Sequence, residues 1–191
     1  MSSRLVLASA SPRRRDLLSA AGYGFEVVSS DLEETIDPRA TPEENAERLA
    51  LAKALAVSAT TAKAVVLAGD TVVALDNEIL GKPLDHEDAR RMLQKLSGSR
   101  HRVITAVAVV DAEGRRHVGH AVTHLRMRPV TKEWIDDYLK TGKSFGKAGA
   151  YAFQEGGDRF LDILEGDVDT VVGLPLRLVS DLLSRLGVGP G

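Results

Sequence analysis

Asp70 closes the run AVVLAGD (64–70), and an ionised carboxylate after six small or branched apolar residues is expensive unless a cation meets it. The simpler reading is a carboxylate capping the next turn, and two lysines bear on the choice. Lys82 stands in ILGKP (79–83), just past a hairpin that can return it to the same end of a sheet. Lys53 shares a helix face with Ala46, Leu49, Ala50 and Val57, so it either snorkels to water or faces a buried anion. Near the N-terminus, SASPRRRDLL (9–18) places Ser11 at an N-cap and Pro12 at the first helical position. Arg13, Arg14 and Arg15 then fill a first turn whose dipole prefers carboxylates. Two lysines and three arginines near the ends of buried elements suit a polyanionic ligand. The loop DLEETIDPR (31–39) supplies the opposite sign through Asp31, Glu33, Glu34 and Asp37. One of these joining Asp70 would form an oxygen-ligand site for Mg²⁺, which is held by one or two carboxylates plus substrate phosphates. Cations with two carboxylates are the equipment of metal-assisted phosphoanhydride hydrolysis.

The elements that must position these residues follow from period and punctuation. RLVLAS (4–9) reads as a buried strand, followed by a helix over 12–21 that stops at Gly22, then a strand at FEVVSS (25–30). Thr41-Pro42-Glu43-Glu44 combines an N-cap, a first-turn proline and a capping-box glutamate, which starts a helix running to about residue 58. AVVLAGD ends a strand at Asp70, and TVVAL, a turn at Asp76-Asn77 and EILGKP make a hairpin after it. Asp85 caps a helix with Ala89, Met92, Leu93 and Leu96 on one face. Residues 102–110 and 115–127 form a long hairpin, Thr131 starts a helix through Trp134 and Leu139, and a last amphipathic helix spans 176–186. Trp134 and Tyr138, one turn apart, belong to core or interface. Interleaved elements with two antiparallel hairpins predict a mixed α/β (α+β) sheet in one domain over 1–191, not a parallel doubly wound one.

Composition narrows the classes further. A net charge of −2 gives no global pull toward nucleic acid or membrane, and the absence of cysteine excludes disulfides, thiol catalysis and thiolate zinc sites. LVLASA is too short for a signal peptide and its arginines follow the apolar stretch instead of preceding it, so a cytoplasmic protein is expected. Gly142-Lys143-Ser144 lacks the upstream glycine of a P-loop, because position 137 is Asp. His117, His120 and His124 are poor metal ligands: on a strand His117 faces away from the other two, whose face alternates as an exposed one.

Six segments together resemble the Maf family of nucleoside triphosphate pyrophosphatases, named for septum formation: LASASPRRRDLL (7–18), ERLALAKA (47–54), AGDTVV (68–73), ILGKP (79–83), KAGAYAFQ (147–154) and VVGLPL (171–176). The resemblance implies a long curved mixed β-sheet flanked by helices, with two lobes around a central cleft, similar to inosine-triphosphate pyrophosphatases. It implies a homodimer and metal-dependent (Mg or Mn) hydrolysis of a nucleoside triphosphate to monophosphate and pyrophosphate, removing non-standard or excess nucleotides. Asp70 takes the place of the family's catalytic aspartate, with Glu34 (or its neighbour Glu33) helping to hold the metal. Ser9, Arg13, Arg14, Lys53 and Lys82 match its phosphate-contacting set, and Arg15 falls where members vary. Arg13, Thr71 and Gln154 match the positions that mark the branch acting on dTTP and UTP, where the branch acting on 7-methyl-GTP differs. A glutamine suits that choice, since its paired donor and acceptor fit the imide edge of uracil or thymine. The rival from another class is a nucleotide-binding regulator of septum formation in which hydrolysis is secondary. A nucleic-acid-binding domain is disfavoured by the neutral charge and the lack of stacking aromatics.

Overall fold

The computed structural model describes residues 4–30, 32 and 34–191. Seven strands form one mixed sheet: β1 (Arg4–Leu7), β2 (Glu26–Val27), β3 (Ala64–Leu75), β4 (Glu78–Leu80), β5 (Arg100–Val110), β6 (Arg116–Met127) and β7 (Leu161–Glu165). They lie in the order β2-β1-β3-β5-β6-β7, with β4 also on β3. Six α-helices accompany them among the described residues: α1 (Pro12–Ala20), α2 (Pro42–Ser58), α3 (His86–Leu96), α4 (Lys132–Lys140), α5 (Val168–Val172) and α6 (Leu176–Ser184). The expected mixed α/β class is therefore the observed one. No helix among the described residues is long and apolar enough to cross a membrane.

The local signals explain most element boundaries. Thr41 Oγ1 accepts the N–H of Glu44 while the Glu44 carboxylate accepts that of Thr41, so the capping box opens α2 as expected. Asp85 accepts the Asp88 N–H at the start of α3, and Thr131 accepts that of Trp134 at α4. Three expectations need correcting. FEVVSS yields only two paired residues, because both Glu26 and Val27 lie exposed on the sheet's edge and the serines offer no apolar face to bury. Ser11 occupies the N-cap position of α1 but its side chain makes no capping bond. Asp70 does not end a strand: Thr71 to Leu75 continue the alternation, so it lies in the middle of twelve paired residues, opposite Ala106.

Alternation along β3 divides the core. Val66, Ala68, Val72 and Ala74 face Ala46, Ala50, Ala54 and Val57 of α2. On the opposite face, Leu67 and Val107 pack with Leu18 of α1 and Leu182 and Leu183 of α6. Further along, Val73 and Val103 pack with α3 and α4, where Tyr138 stacks on Trp134 and meets the edge of Phe160. Gly69, Thr71 and Thr105 fill the interval between those two cores.

The uncovered edge of β3 locates the cleft. One edge of β3 is paired with β5 throughout, from Val66 to Ala74. On the other edge β1 runs parallel to residues 64–67 and β4 runs antiparallel to 73–75. Between them, 68–72 have no strand neighbour on that edge among the described residues, and Asp70 is at the centre. A break where neighbouring strands diverge is the place where open α/β sheets bind ligands.

Candidate active site

A cleft of about 410 Å³ opens at this break, within the size range of small-molecule sites. Ser9, Arg13, Arg14, Glu34, Lys53, Asp70, Thr71, Lys82 and Gln154 all line it and so share one space, whereas Asp37 and Arg15 do not line it. Glu33, the alternative to Glu34, lies outside the described residues, and Arg15 is exposed on the far side of its turn.

Its electrostatic centre is Lys53. The side chain projects from the apolar stripe of α2, is 8% exposed, and resolves the choice between snorkelling and a buried anion in favour of the anion. Its Nζ donates to Asp70 Oδ1 at 2.5 Å and to Glu34 Oε1 at 2.6 Å. Asp70 is itself 5% exposed, and its carboxylate has no other hydrogen-bond partner among the described residues. Lys82, more than half exposed beyond β4, donates to the second oxygen of Glu34 at 2.8 Å. Partial burial raises the Glu34 carboxyl, but the hydrogen bonds and charges of Lys53 and Lys82 outweigh it and hold the group down at about 2.

Glu34 is brought there by a residue that the sequence reading did not single out. Asn45 in α2 is fully buried and accepts the Asp37 N–H, while its two Nδ2 protons are shared among the Asp37, Ala40 and Thr41 carbonyls, all within 3.2 Å. Arg48 holds the Thr35 carbonyl beside it. An asparagine that satisfies several backbone groups of a preceding loop gives no period or motif in sequence, so its role is visible only in the fold.

The cationic wall begins where β1 ends. The Ala8 N–H still bonds the Leu67 carbonyl, after which the chain turns into α1. Ser9 Oγ accepts from the Ser11 N–H at 3.2 Å and from Arg14 Nη1 at 3.4 Å, which leaves its own proton unspent. The first turn of α1 contains no acidic residue and no side-chain cap, and its residues Pro12, Arg13 and Arg14 line the cleft. Arg14 Nε donates to the Gly173 carbonyl at 2.7 Å and Nη2 to Thr71 Oγ1 at 3.0 Å. Burial lowers the affinity of that guanidinium for its proton, against the opposing influence of Asp70. Arg13 and Gln154 have no hydrogen-bond partner among the described residues, so their polar groups are available to a ligand.

The far end of the cleft is apolar and is lined by Val73, Val103, Tyr151 and Phe153. Tyr151 Oη and His101 Nε2 lie 2.9 Å apart, and burial lowers His101 to about 4, so the imidazole is neutral there. The second residue that sequence analysis passed over is Lys147, whose Nζ sits 3.3 Å from Glu155 Oε1 on the cleft's rim. On β6, His120 and His124 are exposed, and His120 Nδ1 lies 2.8 Å from Glu47 Oε1.

A HAM1 protein from Coxiella burnetii superposes with a TM-score of 0.55, covering 97% of this chain and 100% of that one at 16% identity, which establishes a shared fold. A dTTP/UTP pyrophosphatase from Geotalea uraniireducens is 46% identical over 97% of this chain and 96% of its own. Proteins of the same name from Ruminiclostridium cellulolyticum (42%, covering 95% of each chain) and Bacillus pumilus (40%, covering 98% of each) are similar along their whole length. The family model described as Maf-like protein matches residues 4–186, and the chain belongs to that family.

Proposed function

We propose that the protein is a nucleoside triphosphate pyrophosphatase that converts dTTP and UTP to the monophosphate and pyrophosphate. The observation that carries this reading is the convergence of Asp70, Glu34, Lys53 and Lys82 beside an uncapped helix start in one cleft. The relatives described above, each named for pyrophosphatase activity, favour catalysis over a binding-only role in septum formation.

The donor set fits a divalent cation. Two carboxylates present hard oxygens to a single cationic point, at which Lys53 Nζ lies within 2.6 Å of both. Asp70 and Glu34 would hold Mg or Mn, and the bound ion would supply positive charge to the triphosphate oxygens. The chain's own residues do the rest. The Ser9 hydroxyl, the N–H groups of the first turn of α1, and Arg13 and Arg14 bind the phosphates. Lys53 and Lys82 exchange their carboxylate partners for phosphate oxygens as the anion arrives, so both ammonium groups stay paired, and the cation would compensate Asp70 and Glu34. Water attacks the α-phosphorus in line, Asp70 accepts its proton, and the α–β bridging bond breaks with pyrophosphate leaving.

Base choice falls to the other end of the cleft. The Gln154 amide offers a donor and an acceptor side by side, which matches the carbonyl and N–H of a uracil or thymine imide edge. A triphosphate panel assayed by pyrophosphate release tests the proposal. dTTP and UTP should lead CTP, dATP and GTP. Absence of pyrophosphate from every member of the panel, with folded protein and Mg or Mn present, would overturn it.

A further inference from the structure

We propose that Thr105, which lines no part of the cleft, is a positioning residue for nucleotide binding: it orients the Thr71 hydroxyl and, through it, the Arg14 guanidinium. The proposal rests on the pyrophosphatase reading and adds a residue to it.

Thr105 lies on β5 in register with Thr71 on β3, and its side chain is fully buried between the two cores. Their hydroxyl oxygens are 2.9 Å apart, a distance that alone leaves the donor unassigned. A third contact assigns it. Thr105 Oγ1 also lies 2.7 Å from the Thr170 carbonyl of α5, which can only accept. A hydroxyl has one proton, so that of Thr105 is committed to Thr170 and Thr71 must donate to Thr105. Thr71 Oγ1 then receives Arg14 Nη2 at 3.0 Å. The chain of donors runs one way: Arg14 to Thr71 to Thr105 to Thr170.

The other side of the guanidinium is tied to the same short helix. Arg14 Nε donates to the carbonyl of Gly173, which follows α5, and the Asp169 carbonyl accepts the N–H groups of Gly173 and Leu174. Two glycines wall the slot. A Cβ on Gly69 would stand 3.2 Å from Arg14 Nε, and one on Gly173 would stand 3.2 Å from Thr71 Oγ1. Gly173 also has φ +117°, where a side chain is strained. The fork is thus held at Nε and Nη2 from behind, leaving Nη1, which has only a long contact to Ser9, for a ligand. Such fixing lowers the ordering cost of binding. It also gives Thr71 a specific part: its proton points away from the cleft, and it serves Arg14 as an acceptor.

Thr105→Val keeps the side-chain shape and removes the hydroxyl, stranding the Thr71 proton without its acceptor. KM for UTP should rise about tenfold with kcat within about threefold of wild type, and Thr105→Ser should restore KM. In a Thr71→Val background, adding Thr105→Val should change KM by less than about twofold, because the link is already cut. Thermal unfolding runs alongside, since a purely structural role would lower Tm and leave KM alone. Wild-type KM in Thr105→Val, no restoration by serine, or a full additional effect in the Thr71→Val background would each overturn the proposal. An NMR arm needs no activity: the Arg14 Nη2 proton that bonds Thr71 should exchange slowly in wild type and Thr105→Ser and fast in Thr105→Val. Equal exchange in all three overturns the relay, whereas failure of wild type to cleave UTP or dTTP overturns only the functional reading.

Discussion

Replacing Lys53 with methionine isolates the charge at the centre of the cleft, because methionine retains the apolar stem against α2 and deletes the ammonium. The loss falls unequally on its two partners. Glu34 retains Lys82 and is about one-third exposed, whereas Asp70 is 5% exposed and loses its hydrogen-bonded cation. Removing one member of a buried pair costs about 3–5 kcal/mol when the remaining charge is sealed in protein. Here the pair lines an open cleft instead of being sealed in protein, which brings the expectation to roughly 2–3 kcal/mol. For a chain of this size each kcal/mol shifts Tm by about 2–4 °C, so Lys53→Met should melt about 4–12 °C below wild type at pH 7 without nucleotide. Neutralising the stranded carboxylate is the control. Asp70→Asn combined with Lys53→Met should recover most of the loss, since no unpaired charge then remains at that position. Circular dichroism melts of the four proteins measure the cycle. A Lys53→Met protein within about 1 °C of wild type, or a double variant whose loss is the sum of the single ones, would refute the buried-pair reasoning.

Two further outcomes follow from the same structure. The Glu34 carboxyl titrates near 4.5 in an open chain and about 2 in the fold, so the folded state binds fewer protons between those values. Its contribution is complete above about pH 5 and disappears as pH falls toward 2; Glu34→Gln should flatten that acid limb by roughly 1 kcal/mol, after allowing for solvent screening, in urea titrations across the range. Thr41→Ala removes the capping-box acceptor of α2 and should cost about 1 kcal/mol, or about 2–4 °C in Tm, with kcat unchanged in the pyrophosphate assay.

The sequence signals that survived folding are those whose physics is local or periodic. The α2 capping box, the apolar face of α3 and the β5–β6 hairpin each depend on a few neighbouring residues, and each formed as read. The lysine on the apolar stripe of α2 was legible as a residue seeking an anion, though not which anion, because Asp70 and Glu34 reach it from separate elements. The break in β3's edge was not legible at all. Nothing within AVVLAGDTVVAL marks where β1 stops and β4 begins, since that depends on the lengths of other strands. For the same reason Asp70 reads from sequence as the end of a strand and lies in the middle of one. Arg14 shows the limit most clearly. Its place at a helix start suggested a phosphate ligand, yet its hold on Thr71 and Gly173 joins residues 57 and 159 positions away, beyond the reach of any local pattern.

The central claim is that Asp70 accepts the proton of the attacking water within a cleft built for a triphosphate. Steady-state pyrophosphate release by Asp70→Asn, with dTTP and UTP as substrates, tests it most directly. A general base contributes about 10²–10⁴-fold, so kcat should fall by that factor or more while the melting curve remains cooperative. A folded Asp70→Asn protein that releases pyrophosphate at the wild-type rate would contradict the account.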